Sequence, residues 1–497
     1  MAVELDGEHL TIEDVQIVAE RDATVSLASN AIEKMRASRE PVELLAAGDT
    51  AIYGVNTGVG LLADIRIPRK DLELLQLNVV RSHAAGVGNP LDRAVVRAMM
   101  LIRANVLAKG FSGIRPVVAE LICAMLNRGV TPVIPEQGSV GASGDLAPLA
   151  HMALVLAAEG EAEFEGAVLP GGEALRRAGL NPITFHPKEG LSLINGTQAM
   201  LSIGCLELGA AEVLADTADV VVLLTLDALR GTPIAFDERI QAARPHTGQA
   251  QCAARLRRLI EGSEIRQSHL TCRRVQDAYS LRCVPQVHGA VRDALAEARR
   301  VFSIELNSAT DNPLVFGAEI VSGGNFHGEP LALQLDFLAV AVSALAAISE
   351  RRIDRLVNPA LNEDLPPFLA GHAGLESGLM MAQVTAASLV GENRVLAYPA
   401  STGSITTSGN KEDFVSMGMA SAVKFQRIVR NTRAVLAMEG LAAARALDLL
   451  APLRTSPVLE DARNRIRHVS PPLTADRPLY GDIAAIGRLI AEGQLRL

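Results

Sequence analysis

Residues 138–149 read Gly138-Ser139-Val140-Gly141-Ala142-Ser143-Gly144-Asp145-Leu146-Ala147-Pro148-Leu149. Glycine recurs at every third position through Gly144, among small residues, which is the composition of a tight turn rather than of a helix or strand. From Leu146 the residues turn apolar and Pro148 follows at once, so the chain enters a helix there, with Ser143 or Asp145 as its cap. A glycine-rich turn before a helix can also cradle phosphate. This one lacks the Gly-Lys-Ser/Thr ending of a P-loop and the spacing of a dinucleotide fingerprint. Taken locally, it is an interruption between helices.

The surroundings agree. From Asp92, the residues Val95/Val96, Met99/Met100, Ile102 and Val106/Leu107 fall at helical spacing, and Lys109-Gly110 supplies a stop. Pro116 opens a second helix that ends at Arg128-Gly129. Further long helices are expected at 198–230, 330–357, 376–397 and 414–447, with hairpins at 162–169 and 312–321. Before Asp92 the chain is broken more often, as in Tyr53-Gly54-Val55-Asn56-Thr57-Gly58-Val59-Gly60. The expected fold class is therefore mainly α, with an N-terminal mixed unit over 1–110 and a helical-bundle body over 111–497.

Composition narrows the function. Apolar residues make up 49% of the 497 and charged residues 21%, the balance of a soluble globular protein with ample core. Aromatics are only 3% and tryptophan is absent, while the abundant alanine and leucine favour helix. The net charge is −9. The basic clusters Arg255-Leu256-Arg257-Arg258 and Arg351-Arg352 lie in helical patterns beside acids, so they read as ion-paired faces and argue against a nucleic-acid partner. The five cysteines, Cys123, Cys205, Cys252, Cys272 and Cys283, form no CxxC pair and read as reduced thiols of a cytoplasmic protein. No His/Cys spacing suggests zinc, so no metal is expected. The start MAVELDGEHL is acidic where an export signal is basic. The uncharged run 337–349 is too short for a bilayer and reads as a buried bundle helix, so no membrane partner is expected.

The longer run GSVGASGDLAPLAH resembles the Ala-Ser-Gly motif of the histidine and aromatic amino-acid ammonia-lyases and their aminomutase relatives. Five more segments resemble the family at matching intervals. Tyr53 stands in YGVNTG, Asn195 in LINGTQ, and Gln276, Tyr279 and Arg282 in VQDAYSLRCVPQ; Phe326 and Glu329 stand in GNFHGEP, and Glu412 in NKEDFVSMG. The chain is identified as a member on these segments. The resemblance implies a mainly helical, fumarase/aspartase-like lyase architecture and a homotetramer whose active sites are shared between subunits. It also implies no added cofactor. Instead, the Gly144 nitrogen attacks the Ala142 carbonyl and two waters leave, one from the Ser143 side chain, to give 4-methylidene-imidazol-5-one (MIO).

The residue types suit such chemistry. An ammonia-lyase must take a weakly acidic β-proton and expel a poor leaving group, and an electrophile that binds the amine eases the second task. By resemblance, Tyr53 is the base for the β-proton, which requires its phenol, ordinarily near 10, to be lowered. Arg282 holds the substrate carboxylate by a bidentate fork. Asn195 orients the amine or carboxylate, and Tyr279 and Gln276 steady the ring and the substrate. Phe326 and Glu329 belong to the substrate-binding segment.

Substrate choice rests on two places. Ser82-His83 resembles the histidine lyases, where phenylalanine lyases carry Phe-Leu. Glu412 stands where phenylalanine and tyrosine lyases commonly carry glutamine; a carboxylate can accept from imidazole N–H but is costly beside an apolar ring. The implied reaction is L-histidine to trans-urocanate and ammonia. Departures are Val59, Gly328, Lys411 and Phe414, all near substrate-reading segments. They keep open a tyrosine or phenylalanine ammonia-lyase or a 2,3-aminomutase using the same electrophile. A catalytically silent helical scaffold is the reading outside enzymes.

Overall fold

The computed structural model describes residues 2–270 and 275–497. The expected helices are present as Arg93–Ala108, Pro116–Arg128, Gln198–Ala228, Glu329–Val357, Met380–Leu396 and Gly418–Leu449. The two hairpins pair as Glu161–Phe164 with Ala167–Pro170 and Leu314–Phe316 with Glu319–Val321. The mainly α fold class is borne out. Sequence periodicity passed over Val284–Leu306, and also Ser29–Ala47, where Pro41 lies inside the helix and obscures it. It also passed over the parallel pair Ala2–Leu5 and Thr24–Leu27, whose strands of four residues each are too short to show a period.

The chain forms two compact units, each discontinuous in sequence. Unit 1 is Met1–Leu206, Arg299–Asp336 and Pro399–Val423; unit 2 is Glu207–Ala298, Phe337–Tyr398 and Lys424–Leu497. The segments 1–110 and 111–497 are divided by sequence texture, whereas these units are drawn by contact, and unit 1 takes residues from both segments. Its centre is the Arg93–Ala108 helix, buried from Val95 to Ala108. Arg97 inside that apolar helix is tolerated because its donors are used. Arg97 donates to Val18 O at 2.9 Å and Leu126 O at 3.0 Å.

In unit 2 the helices pack through Ala346, Ile353, Ala386, Val390, Val435 and Met438. Arg352 and Glu439 are fully buried among them, Arg352 Nε donating to Glu439 Oε1 at 2.5 Å and Nη2 to Oε2 at 2.7 Å. Ser349 and Thr225 hydroxyls complete the carboxylate at 2.6 and 2.8 Å. Arg352 also donates to the Ser280 carbonyl at 3.5 Å, inside the short helix Tyr279–Arg282. Glu439→Ala leaves this guanidinium buried and unpaired, and should cost about 3–5 kcal/mol. A urea unfolding midpoint equal to that of the unsubstituted protein would refute this.

The ion-paired reading of the basic clusters also holds: Arg255 lies 3.5 Å from Asp219, and Arg351 pairs with Glu350. Cys123, Cys205, Cys252 and Cys283 are free thiols, while Cys272 lies outside the described residues. The run 337–349 is the middle of the 29-residue helix Glu329–Val357, which is long and apolar enough to cross a membrane by length and composition. Half of its most apolar stretch is buried, and it carries Asp336, Glu350, Arg351 and Arg352. It is a core helix with one open side, where Leu333, Phe337 and Val340 are each about half exposed.

Candidate active site

Ala142-Ser143-Gly144 is gripped from three directions, all within unit 1. Met417 N–H donates to Val140 O at 2.8 Å, Gly328 N–H to Gly141 O at 3.2 Å, and Ser416 Oγ to Gly141 O at 2.9 Å. From the other side Asn195 Nδ2 donates to Ser143 O at 3.0 Å, and Asp145 N–H donates to Gly196 O at 2.7 Å. Gly144 forms an isolated parallel bridge with Gly196. Its φ is +76°, and a Cβ there would fall on the Gly196 backbone. Only glycine meets both demands. Ala142 is buried and Ser143 half-buried.

The Leu146–Leu156 helix opens two residues beyond Gly144, so its positive end faces the turn. Asp145 occupies the cap position, but its side chain caps nothing. It accepts from Ser139 Oγ at 2.8 Å and from Met200 N–H at 2.9 Å, tying the turn to the Gln198–Ala228 helix. Burial pushes its carboxyl up to about 6, against those donors.

Glu412 reaches the turn from the opposite loop. The Ser143 hydroxyl donates to Glu412 Oε1 at 2.6 Å, and the Thr407 hydroxyl donates to Oε2 at 2.7 Å. Thr407 N–H also donates to Glu412 O at 2.9 Å, closing a turn through Ser408, Gly409 and Asn410, all at positive φ. Both carboxylate oxygens therefore carry a hydroxyl.

Tyr53 approaches on a loop folded by Asn56, whose Oδ1 accepts from Ile52 N–H at 2.7 Å and whose Nδ2 donates to Thr50 O at 2.9 Å. Burial, then the charges of Glu412 and Asp311, push its phenol above the usual 10, with the Gly60 N–H opposing. The lowering that a neutral-pH base requires is not supplied by this chain's neighbours alone. His83 ends the Leu72–His83 helix, with Nδ1 2.7 Å from Val79 O. A carbonyl only accepts, so Nδ1 donates to it and Nε2 is the ring nitrogen left to face a ligand. The following segment is held by Gly86 N–H donating to His151 Nε2 at 3.1 Å.

Phe326 is half-buried. Glu329 begins its helix with Oε2 buried and without a hydrogen-bond partner. Two of the departures have packing reasons. Phe414 stacks on His327 with centroids 5.9 Å apart. A methyl on Gly328 would stand 2.6 Å from Met200 Cε and 2.9 Å from Ser416 Oγ, so glycine accommodates Met200 under the turn.

Tyr279, Arg282 and Gln276 lie on unit 2. Tyr279 is 68% exposed, and the Arg282 guanidinium sits 4.7 Å over its ring. Gln276 is exposed. Also on unit 2, Asp219, Cys252 and His288 bring donor atoms within 4.8 Å of one another. Asp219 there accepts from His288 Nδ1 at 2.8 Å and pairs with Arg292, so the cluster reads as a neutralised core.

Sequence reading missed two contributors. Arg103 is fully buried and donates to Asn195 O at 2.9 Å, to Gln198 Oε1 at 2.7 Å and to Ser192 O, while burial lowers it to about 10. A cation inside an apolar helix was its signal. Thr407 had none, because its role depends on a contact five residues along a turn.

A sequence profile of the family described as aromatic amino acid lyase matches residues 10–468. The chain belongs to the aromatic amino acid lyase family. Among members of that family, the histidine ammonia-lyase of Koribacter versatilis is 59% identical over 99% of this chain and 98% of its own length. The solved structure of histidine ammonia-lyase from Trypanosoma cruzi is 42% identical with a TM-score of 0.93, covering 100% of this chain and 94% of that one. The tyrosine aminomutase of Streptomyces globisporus is 41% identical with a TM-score of 0.94, covering 100% and 98%. The grip on Ala142-Ser143-Gly144 thus occurs in an aromatic amino acid lyase fold that is matched over its whole length.

Proposed function

We propose that the protein is a histidine ammonia-lyase, eliminating ammonia from L-histidine to give trans-urocanate. The carrying observation is the Ser143 turn, pressed against Asn195-Gly196 with its hydroxyl on Glu412. The residues fit a MIO group. Ala142 is buried, Gly144 admits no Cβ, the serine hydroxyl faces a proton-carrying group, and the buried Asn195 Oδ1 has no partner. Ala142, Ser143 and Gly144 would form the group, with Asn195 beside it. When present, it supplies an electrophile for the substrate amine, which improves the leaving group.

The side chains do the rest. Arg282 forks the substrate carboxylate, and Tyr279 and Gln276 steady it. Asn195 orients the amine through its free Oδ1. Tyr53 takes the β-proton. Glu412 Oε1 accepts from the imidazole N–H and His83 Nε2 hydrogen-bonds the other ring nitrogen, with Phe326 and Glu329 alongside. The reading includes a homotetramer with shared sites, in which a cation such as Arg282 from another copy would lower Tyr53. The exposed Tyr279 and the open row Leu333, Phe337 and Val340 on one helix face suit such association. The free thiols suit the cytoplasm.

The likeness to a tyrosine aminomutase favours tyrosine as a second reading. Assays on L-histidine, L-tyrosine and L-phenylalanine separate them: urocanate from histidine is the expected product. Coumarate or β-tyrosine without urocanate would overturn the proposal. His83→Leu, at a helix end, should raise KM for L-histidine by about 10- to 100-fold through a lost hydrogen bond. An unchanged KM would remove His83 from imidazole recognition.

A further inference from the structure

We propose that Glu412 has a second task before any substrate arrives: it is the proton carrier for the dehydration of Ser143. This rests on the reading that Ala142-Ser143-Gly144 becomes MIO. Hydroxide is a poor leaving group, because its conjugate acid, water, is a very weak acid. A serine hydroxyl therefore departs readily only if a proton is delivered to it. Among the described residues the Ser143 hydroxyl has one side-chain hydrogen-bond partner, Glu412 Oε1 at 2.6 Å. That separation is within proton-transfer reach.

The step balances at one carboxyl group. The Ser143 Cα–H proton passes to the Glu412 carboxylate, and the electron pair left on Cα forms the Cα=Cβ bond. The Cβ–Oγ bond breaks, and the Glu412 carboxyl proton goes to the departing oxygen, which leaves as water. Glu412 ends as a carboxylate, as it began. No oxidant or outside acid is consumed. The first water, made from the Ala142 oxygen and two amide protons, needs no help from Glu412.

The surroundings hold the carboxylate to this task. Thr407 Oγ1 occupies Oε2 at 2.7 Å, and the Thr407–Glu412 backbone bridge fixes the turn, so Oε1 is left for Ser143. Departure of the hydroxyl then frees Oε1. The same oxygen becomes available to accept from the imidazole N–H of substrate, and one residue serves maturation and recognition in sequence.

Intact-mass spectrometry on freshly synthesised protein, followed over time, tests this without an activity assay. The unsubstituted protein should end two waters below its sequence mass. A full-mass unsubstituted protein would defeat the MIO reading itself, a separate failure. Glu412→Gln keeps the shape and one oxygen to accept from Ser143, with its amide N–H donating to Thr407 Oγ1 instead of accepting, but it cannot take up and hand on a proton. It should lose the first water and stall one water short of completion, with the second loss slowed on the order of 100-fold. Glu412→Asp should recover the second loss in part. Thr407→Val, which keeps the carboxylate but frees Oε2, should slow the second loss to a smaller degree.

Loss of both waters from Glu412→Gln at the unsubstituted rate overturns the proposal. Loss of neither overturns it too, since Glu412 would then act on closure of the turn. A Thr407→Val time course identical to the unsubstituted one also counts against it.

Discussion

Ser143→Ala should lower the turnover of L-histidine by about 1,000-fold or more, the scale seen when a group essential to covalent catalysis is removed. Alanine has no hydroxyl to lose, so no methylene can form. The substitution is mild for the fold. Ser143 is half-buried, its carbonyl still accepts from Asn195, and only the contact with Glu412 disappears. The unfolding midpoint should therefore stay close to that of the unsubstituted protein. Relative to its own sequence mass the variant should lose at most one water, where the mature unsubstituted protein loses two. Near-normal activity in Ser143→Ala would remove the electrophile from the mechanism.

Tyr53→Phe should reduce kcat by about 100- to 10,000-fold, the usual contribution of a positioned base. Phenylalanine keeps the ring on its Asn56-folded loop and removes the proton acceptor alone. The loss of two waters from its own sequence mass should be unchanged, because Tyr53 takes no part in the Ser143 step. pH dependence adds a sign. Within one chain, burial and the carboxylates of Glu412 and Asp311 raise the phenol above 10. Whatever cation acts on it in an assembly, only the phenolate takes the β-proton, so activity should climb as pH rises and the phenolate fraction grows. Tyr53→Phe should lose that climb while its residual rate becomes flat. A climb of the same size in Tyr53→Phe would assign the base elsewhere.

The contrast over Tyr53 shows where residue-by-residue reading stops. YGVNTG identified the loop, and Asn56 folds it by short-range hydrogen bonds that the local residues specify. The upward shift of the phenol comes first from burial and then from the charges of Glu412 and Asp311, hundreds of residues further along the chain. Likewise Gly328 read as a departure near the substrate. Its reason is Met200 and Ser416, which only packing brings beside it. The long helices were legible because apolar residues repeat at 3.6-residue spacing over many turns. The helix containing Pro41 and the four-residue parallel strands were not, since one breaks the pattern and the others never establish it.

The turn at Ala142-Ser143-Gly144 shows both halves of this division. By itself the sequence determined the small residues, the hydroxyl, the family and the run of helices around them, because these depend on residue type and short spacing. The tertiary structure alone decided what grips the turn. Gly196 closes on Gly144, Arg103 holds Asn195, and Glu412 meets the Ser143 hydroxyl across 269 positions of chain. Contacts of that separation are set by how helices and loops pack, and no local pattern of residues records them.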